Sequence, residues 1–326
     1  MVSYLSPQNG LTPASSETHV QIGKTQIVDT FAEAFGMVYT RLVITAFDDH
    51  WLSAATNELC GYGSSVIACD AEVGIEQHIP AEQTPDGRPG AAVLAFGFSA
   101  DALTKAISKR VGQCVMTCAS TAVFDGLPDA EKRLPLGKTL RFFGDGFQKS
   151  KVVGGTRYWR IPVMDGEFFC VESLGIEKGV AGGNIIFQAV DQTTALTAAR
   201  RAIEALAPLP DVIAPFPGGV ARSGSKVGSK YKGLSASTSD TNCPTLRGRV
   251  ESQVLPGANC VLEIVLDGSN EEAIAAGMTA AMHAAAGEGI LAISAGNYGG
   301  KLGKFHFHLK DLLNPVSSPS QKEGTG

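Results

Sequence analysis

One acid stands alone in an apolar run: Glu263, within Cys260–Leu266, CVLEIVL. On a strand the side chains alternate, so Val261, Glu263 and Val265 share one face and Leu262, Ile264 and Leu266 the other. The pattern leaves two readings open. Either that face is half-exposed and the carboxylate points to water, or it lines a cleft. In a cleft, desolvation raises the carboxyl pKa and keeps the group protonated near neutrality. A neutral carboxylic acid can donate a hydrogen bond to a developing oxyanion.

Four glycine-rich stretches sit where strands are expected to end: Gly144-Asp145-Gly146, Ala181-Gly182-Gly183-Asn184, Pro217-Gly218-Gly219 and Ser294-Ala295-Gly296-Asn297-Tyr298-Gly299-Gly300-Lys301. Glycine lets a backbone approach a ligand and expose its N–H groups. Each stretch by itself also fits an ordinary turn. Taken together they nominate Gly182, Gly183, Asn184, Pro217, Gly218, Gly219, Asn297 and Lys301 as substrate-lining residues. The stretch from Pro215 to Lys230, PFPGGVARSGSKVGSK, adds Ser223, Ser225, Lys226 and Lys230, hydroxyls and charge suited to carboxylate or phosphodiester groups.

Other chemistries are excluded by what is missing. The two GKT triplets, at Gly23 and Gly137, lack the upstream glycine of a phosphate-binding P-loop. No G-x-G-x-x-G opens a helix after a strand, and no G-x-S-x-G elbow occurs. His306 and His308 share a strand face without a third ligand near them, and Cys114 and Cys118 have no second cysteine or histidine pair. The expectation is therefore no metal site.

The elements that must hold Glu263 and these turns come in a repeated order. Arg41–Phe47, RLVITAF, reads as a strand, and Asp48–Cys60 as a helix with Trp51, Ala54, Ala55 and Leu59 on its apolar face and Asp48 or Asp49 as cap. Ser64–Asp70, SSVIACD, reads as the next strand. The second half repeats this: strand Asn184–Val190, helix Asp191–Ala207, then DVIAPFPGG, with Asp48 matching Asp191 and Val66–Ala68 matching Val212–Ala214. Ala91–Phe98, a helix from Ala100 to Arg110 and Gln113–Ala119 form a second β-α-β. Cys260–Leu266, a helix from Glu271 to Ala286 and Gly289–Ala295 form its counterpart. The predicted fold class is α+β, two ferredoxin-like (split β-α-β) lobes from an internal duplication. A single large doubly wound sheet is the alternative. The expected organisation is an arm at 1–22, an N-terminal lobe at 23–150, a C-terminal lobe at 151–313 and a tail at 314–326, both ends disordered. A hairpin within Phe142–Cys170 is expected to cross between the lobes.

The chain has 326 residues, 44% apolar and 18% charged, with a net charge of −5. That balance argues against a nucleic-acid partner. No apolar run approaches the ~18 residues of a membrane span. The start lacks the pattern of a secretory leader, and seven cysteines without such a leader read as reduced thiols in a cytoplasm.

In order along the chain, DTFAEAF, AEQTPDGRPG, RVGQCVMT, FFGDGF, GVAGGN, APFPGG, SKVGSK, CPT and ISAGNYGGKLG span Asp29 to Gly303. Together these stretches resemble the formylmethanofuran–tetrahydromethanopterin formyltransferase family. The resemblance implies transfer of a formyl group between the amine of a methanofuran-type carrier and tetrahydromethanopterin, both substrates, with no permanently bound cofactor. It also implies two ferredoxin-like lobes and a homotetramer with the site in a cleft near a subunit contact. In methylotrophic bacteria the family implies a formyltransferase/hydrolase complex whose partner subunits release formate, with the transferase working in the oxidative direction. The family's proposed catalytic acid falls on Glu263. Heat- and salt-adapted archaeal members are strongly acidic; here DAEK continues as RLPLGK, without an acidic run. The competing readings are a non-catalytic scaffold or carrier-binding subunit of such a complex, and a pterin or nucleotide binder of another kind.

Overall fold

The computed structural model describes residues 20–224 and 226–314. Its first half runs β1 (Gln21–Ile22), β2 (Thr25–Ile27), β3 (Phe31–Thr45), α1 (Asp49–Cys60), β4 (Glu72–Ile79), β5 (Gly90–Gly97), α2 (Ala100–Arg110) and β6 (Ala122–Asp125). There follow β7 (Lys132–Pro135), α3 (Gly137–Leu140), β8 (Lys149–Val153), β9 (Thr156–Val163) and β10 (Gly166–Val171). The second half runs β11 (Ser173–Ala189), α4 (Gln192–Glu204), β12 (Val212–Ile213), β13 (Lys226–Val227), β14 (Ala236–Ser237), β15 (Cys260–Gly268), α5 (Glu271–Ala285), β16 (Ile290–Ser294), β17 (Phe305–His308) and α6 (Leu309–Leu313).

Local signals account for the helices. Asp48 accepts hydrogen bonds from the N–H groups of His50 and Trp51, and Asp191 accepts one from Thr194, so the two matched aspartates cap α1 and α4. Ser99 and Asn270 cap α2 and α5 in the same way. The buried stripe of α1 is Leu52, Ala55, Thr56 and Leu59. It lies one residue on from the expected face: Trp51 and Ala54 are exposed. Each fully buried leucine contributes roughly 1.5–3 kcal/mol, which fixes the helix on that face.

The strands of each half keep one order, β4-β5-β3-β6 and β12-β15-β11-β16, and β3 and β11 pair antiparallel at their centres, Phe35–Tyr39 against Ala181–Glu177. One sheet of fifteen strands results. Each of the two long strands serves both halves. Ala32 and Ala34 of β3 lie in the core of the second half, while Leu42 and Ile44 lie in that of the first. Leu174 and Ile176 of β11 belong to the first core, Ile185 and Phe187 to the second. Among the described residues no helix is long and apolar enough to cross a membrane.

Four expectations are corrected. Ser64–Asp70 is a tight turn, not a strand: the N–H groups of Ala68 and Cys69 both donate to the Ser65 carbonyl, and the strand begins at Glu72. The counterpart of β12 is therefore β4 and not Val66–Ala68. Gln113–Ala119 is not a strand: α2 continues through a wide helical turn over Val111–Val115, and Met116–Ala119 form a turn in which Thr117 donates its hydroxyl to the Gln113 carbonyl. The strand comes later, at Ala122. The division at 150 does not follow the packing. β10 pairs with β6, and Ile161, Phe168 and Cys170 fill the first core, so the hairpin extends one lobe instead of bridging two. Conversely β2 pairs with β16, and Ile27 fills the second core. Finally, Gln21–Ile22 of the expected arm pair with β2; residues 1–19 and 315–326 lie outside the described residues.

Candidate active site

The two outer faces of the second half-sheet do different work. Leu262, Ile264 and Leu266 of β15 and Ile185 and Phe187 of β11 pack beneath α4 and α5. The opposite face carries Asn184, Ile186, Val261, Glu263 and Val265, and it floors a cleft of about 970 Å³. The long excursion between β12 and β15 folds back as one wall, with Phe216, Arg222, Ser223, Lys226 and Ser239–Cys243. Phe35, Val66, Ile67 and Phe98 form the side toward the first lobe, and Gly296–Tyr298 and Leu302 form the rim.

Glu263 is 8% exposed, so the cleft reading of its strand face holds. Its backbone pairs both ways with Ala221, which holds the excursion against the sheet (Ala221 N–H to Glu263 O 2.8 Å, Glu263 N–H to Ala221 O 3.0 Å). Glu263 shares the cleft face with Ile186, Val261 and Val265, and desolvation pushes its carboxyl pKa from 4.5 up to about 7. Nothing in that wall offsets the cost of a charge, so the neutral acid is favoured up to neutrality.

The sequence-nominated residues divide into two sets. Gly182, Asn184, Ser223, Lys226 and Asn297 line the cleft with Glu263. Gly183, Pro217, Gly218, Gly219, Lys230 and Lys301 do not, and Ser225 lies outside the described residues. Gly183 faces the core: a Cβ there would stand 2.4 Å from Ile274 Cγ2. Gly183→Ala is expected to cost roughly 1–3 kcal/mol through overpacking against α5, read as a lower urea midpoint. Gly219 serves similarly as a close approach to Ile203 of α4. Lys230 and Lys301 are exposed away from the cleft.

The glycine turns were expected to offer free N–H groups. They spend them internally instead. Gly182 N–H donates to Asp267 Oδ1 (3.0 Å), Gly296 N–H to Asn184 Oδ1 (2.6 Å) and Gly299 N–H to Asn297 Oδ1 (3.0 Å). Asn184 also donates to the Gly182 and Gly296 carbonyls, and Asn297 to Thr30 Oγ1 and the Phe31 carbonyl. Both asparagines are brackets for backbone. Lys226 pairs with Asp240 at 3.0 Å, so its charge is already answered. Arg222 is the cleft cation without an ion pair among the described residues.

Three features escaped the sequence reading. Glu33, 1% exposed, accepts four backbone N–H bonds from the rim: Tyr298 (2.7 Å), Gly300 (2.9 Å), Leu302 (2.6 Å) and Gly303 (2.5 Å). Burial would raise its pKa, but the four donors outweigh it and hold the carboxylate at about 2. Its signal was present, a single acid among the apolar residues FAEAF at the start of β3. Gln188 ties the excursion to the floor, donating to the Gln253 carbonyl (2.9 Å) and accepting from Leu255 N–H (2.8 Å). The third is a buried carboxyl pair, Glu72 and Asp267, joined across a sequence separation that no local pattern bridges.

Two family models match the chain: residues 20–163 fit "Formylmethanofuran-tetrahydromethanopterin formyltransferase" and residues 166–312 fit "FTR, proximal lobe". A protein of Rhodopirellula baltica named formylmethanofuran–tetrahydromethanopterin formyltransferase is 49% identical over 94% of this chain and 97% of its own length. The structure of the formylmethanofuran:tetrahydromethanopterin formyltransferase from Methanosarcina barkeri superposes with a TM-score of 0.86 at 44% identity, covering 90% of this chain and all of that one. A chain of the formyltransferase/hydrolase complex of Methylorubrum extorquens, solved with methylofuran, gives 0.87 at 45% identity over 91% and 99%.

Proposed function

The chain belongs to the formylmethanofuran–tetrahydromethanopterin formyltransferase family, and from that premise we propose how its cleft carries out the reaction. The enzyme transfers a formyl group between the amine of a furan-type carrier and tetrahydromethanopterin. The free amine nitrogen attacks the formamide carbon, a tetrahedral oxyanion forms, the attacking nitrogen gives up its proton, and the C–N bond to the departing carrier breaks as its nitrogen takes one up. One amine and one formamide stand on each side, so little net driving force is needed. Catalysis then reduces to alignment, worth at most ~7–11 kcal/mol, and oxyanion stabilisation, worth roughly 3–4 kcal/mol per donor.

Glu263, protonated, is the oxyanion donor. The observation that carries this reading is a buried carboxyl in an apolar floor with its pKa lifted to about 7. Because the N–H groups of the glycine rim are occupied by Asp267, Asn184, Asn297 and Glu33, the acid is assigned the larger share. Gly182, Ser223, Lys226, Arg222 and the cleft edges of Asn184 and Asn297 contact the carriers, with Arg222 facing their anionic groups. The carriers are substrates and no cofactor is permanently bound.

The two halves are copies of one ferredoxin-like unit, a reading supported by their common β-α-β-β-α-β order and their matched strand order. The assembly is a homotetramer that joins hydrolase subunits in a formyltransferase/hydrolase complex in the cytoplasm. The Methylorubrum extorquens relative supports the complex. The decisive test mixes the purified chain with a formylated furan-type carrier and tetrahydromethanopterin, and follows formyl transfer spectrophotometrically before and after chelator treatment. Turnover is expected in both cases. No transfer by a folded chain leaves a scaffold subunit in its place.

A further inference from the structure

The lobes meet a second time beside the cleft, where the edge strands β4 and β12 approach each other: a Cβ at Gly74 would lie 3.0 Å from Ile213. At this seam Glu72, the first residue of β4, neighbours Asp267 of β15, the register partner of Ile213. Each carboxyl binds backbone with one oxygen. Glu72 Oε1 accepts the Val66 N–H at 3.0 Å, and Asp267 Oδ1 accepts the Gly182 N–H at 3.0 Å. The other two oxygens, Glu72 Oε2 and Asp267 Oδ2, are buried and receive no donor from any other described residue. The two carboxyls bear on each other: the charge of Glu72 acts on Asp267. No ion pair joins either to a cation among the described residues; the further titratable group near them is the Cys69 thiol. Two neighbouring carboxylates buried without a cation cannot both ionise, and each of these has one buried oxygen without a donor. A single proton between Oε2 and Oδ2 satisfies both.

We propose that Glu72 and Asp267 share one proton across the lobe junction and act as a positioning pair for formyl transfer. The pair holds the Val66 turn of one lobe and the Gly182 bulge of the other at a fixed separation. Val66 and Ile67 line the cleft from one side, and Gly182 passes its carbonyl to Asn184, which orients the floor two residues from Ile186, the register partner of Glu263. Loss of the shared proton or of one carboxyl lets the seam spread and misaligns the carriers. This role rests on the transferase reading above, while its proton has a signature that does not.

The infrared C=O stretch of a protonated carboxyl reports it directly. At about pH 9 Glu263, with its pKa near 7, is ionised. One buried protonated carboxyl band is then expected in the wild type, retained in Glu263→Gln and absent from Asp267→Asn. A wild type with no such band at that pH, or a band that survives in both Asp267→Asn and Glu72→Gln, overturns the shared proton. In the transfer assay Asp267→Ala is expected to raise KM roughly tenfold with a smaller change in kcat. Asp267→Asn, whose amide donates permanently to Glu72 and still accepts from Gly182, restores it. If Asp267→Ala does not fold, the asparagine variant still decides: a KM for Asp267→Asn raised as far as tenfold overturns the positioning role. Failure of transfer in the wild type with the band present rejects the transferase reading and leaves the shared proton standing.

Discussion

Glu263→Ala is expected to lower kcat by roughly 10²–10³-fold with KM for both carriers little changed, the loss that follows removal of one buried oxyanion donor. In the mechanism proposed above the carriers bind the walls and rim, and the carboxyl is engaged when negative charge develops on the formyl oxygen. Glu263→Gln separates two parts of the role. It keeps an N–H donor at the same place and loses the transferable proton, so its kcat falls between wild type and alanine. Its pH profile is the sharper readout. The wild-type donor exists only while Glu263 is protonated, so activity is expected to fall as pH rises through about 7, and the glutamine variant loses that limb. The same burial bears on stability. The folded pKa, about 7, lies above the unfolded 4.5, so the folded state holds the extra proton between those values. Stability therefore declines as pH rises across that window, by about 3 kcal/mol once it is passed. Glu263→Gln removes this dependence, and above pH 7 it is expected to unfold at a higher temperature than wild type while turning over more slowly. An alanine variant with wild-type kcat at saturating carriers rejects Glu263 as the donor.

The parts of this molecule that were legible in the sequence are those set by neighbours in the chain. Caps at Asp48 and Asp191, the period of α5 and the alternation in CVLEIVL all depend on residues a few positions apart, and each element formed where its pattern put it. The two misplaced strands had β-branched or apolar runs but were diverted by local polar bonds. Ser65 winds SSVIACD into a turn, and the Thr117 and Thr121 hydroxyls, donating to the Gln113 and Val115 carbonyls, fit the continuation of α2. β12 is two residues long, too short for periodicity to register. Whether Glu263 met water or a cleft depended on the excursion from Phe216 to Leu255, which crosses the sheet through single bridges at Ala221 and Gln188. The glycine turns were found for a sound reason, their backbone freedom, but that freedom wraps the chain around Glu33, Asn184 and Asn297. Which acceptor a turn will enclose is a tertiary fact, because Glu33 lies at the far end of the chain from the rim it binds.

Glu33→Ala is expected to be the most destabilising single change at the cleft. The carboxylate gathers four rim N–H groups, and buried donors left unmade cost about 1–3 kcal/mol each where water cannot reach them. An independent measure comes from its protonation. The folded pKa of about 2 lies below the unfolded 4.5, so the carboxylate stabilises the fold fully above about pH 4.5, and this is lost as pH falls toward 2. The loss is expected to show as a fall in Tm of several degrees across that window. Glu33→Gln is not a rescue: its amide presents one acceptor oxygen and sets an N–H₂ against two of the donors. Both variants are expected to flatten the acid limb of thermal stability between pH 4.5 and 2. Both also raise KM more than they lower kcat, because Tyr298 and Leu302 border the cleft while Glu263 stays in place on β15. A Glu33→Ala protein whose Tm stays within a degree of wild type from pH 3 to pH 7 shows that the rim holds its shape without the carboxylate, and the four bonds then follow from the loop's own conformation.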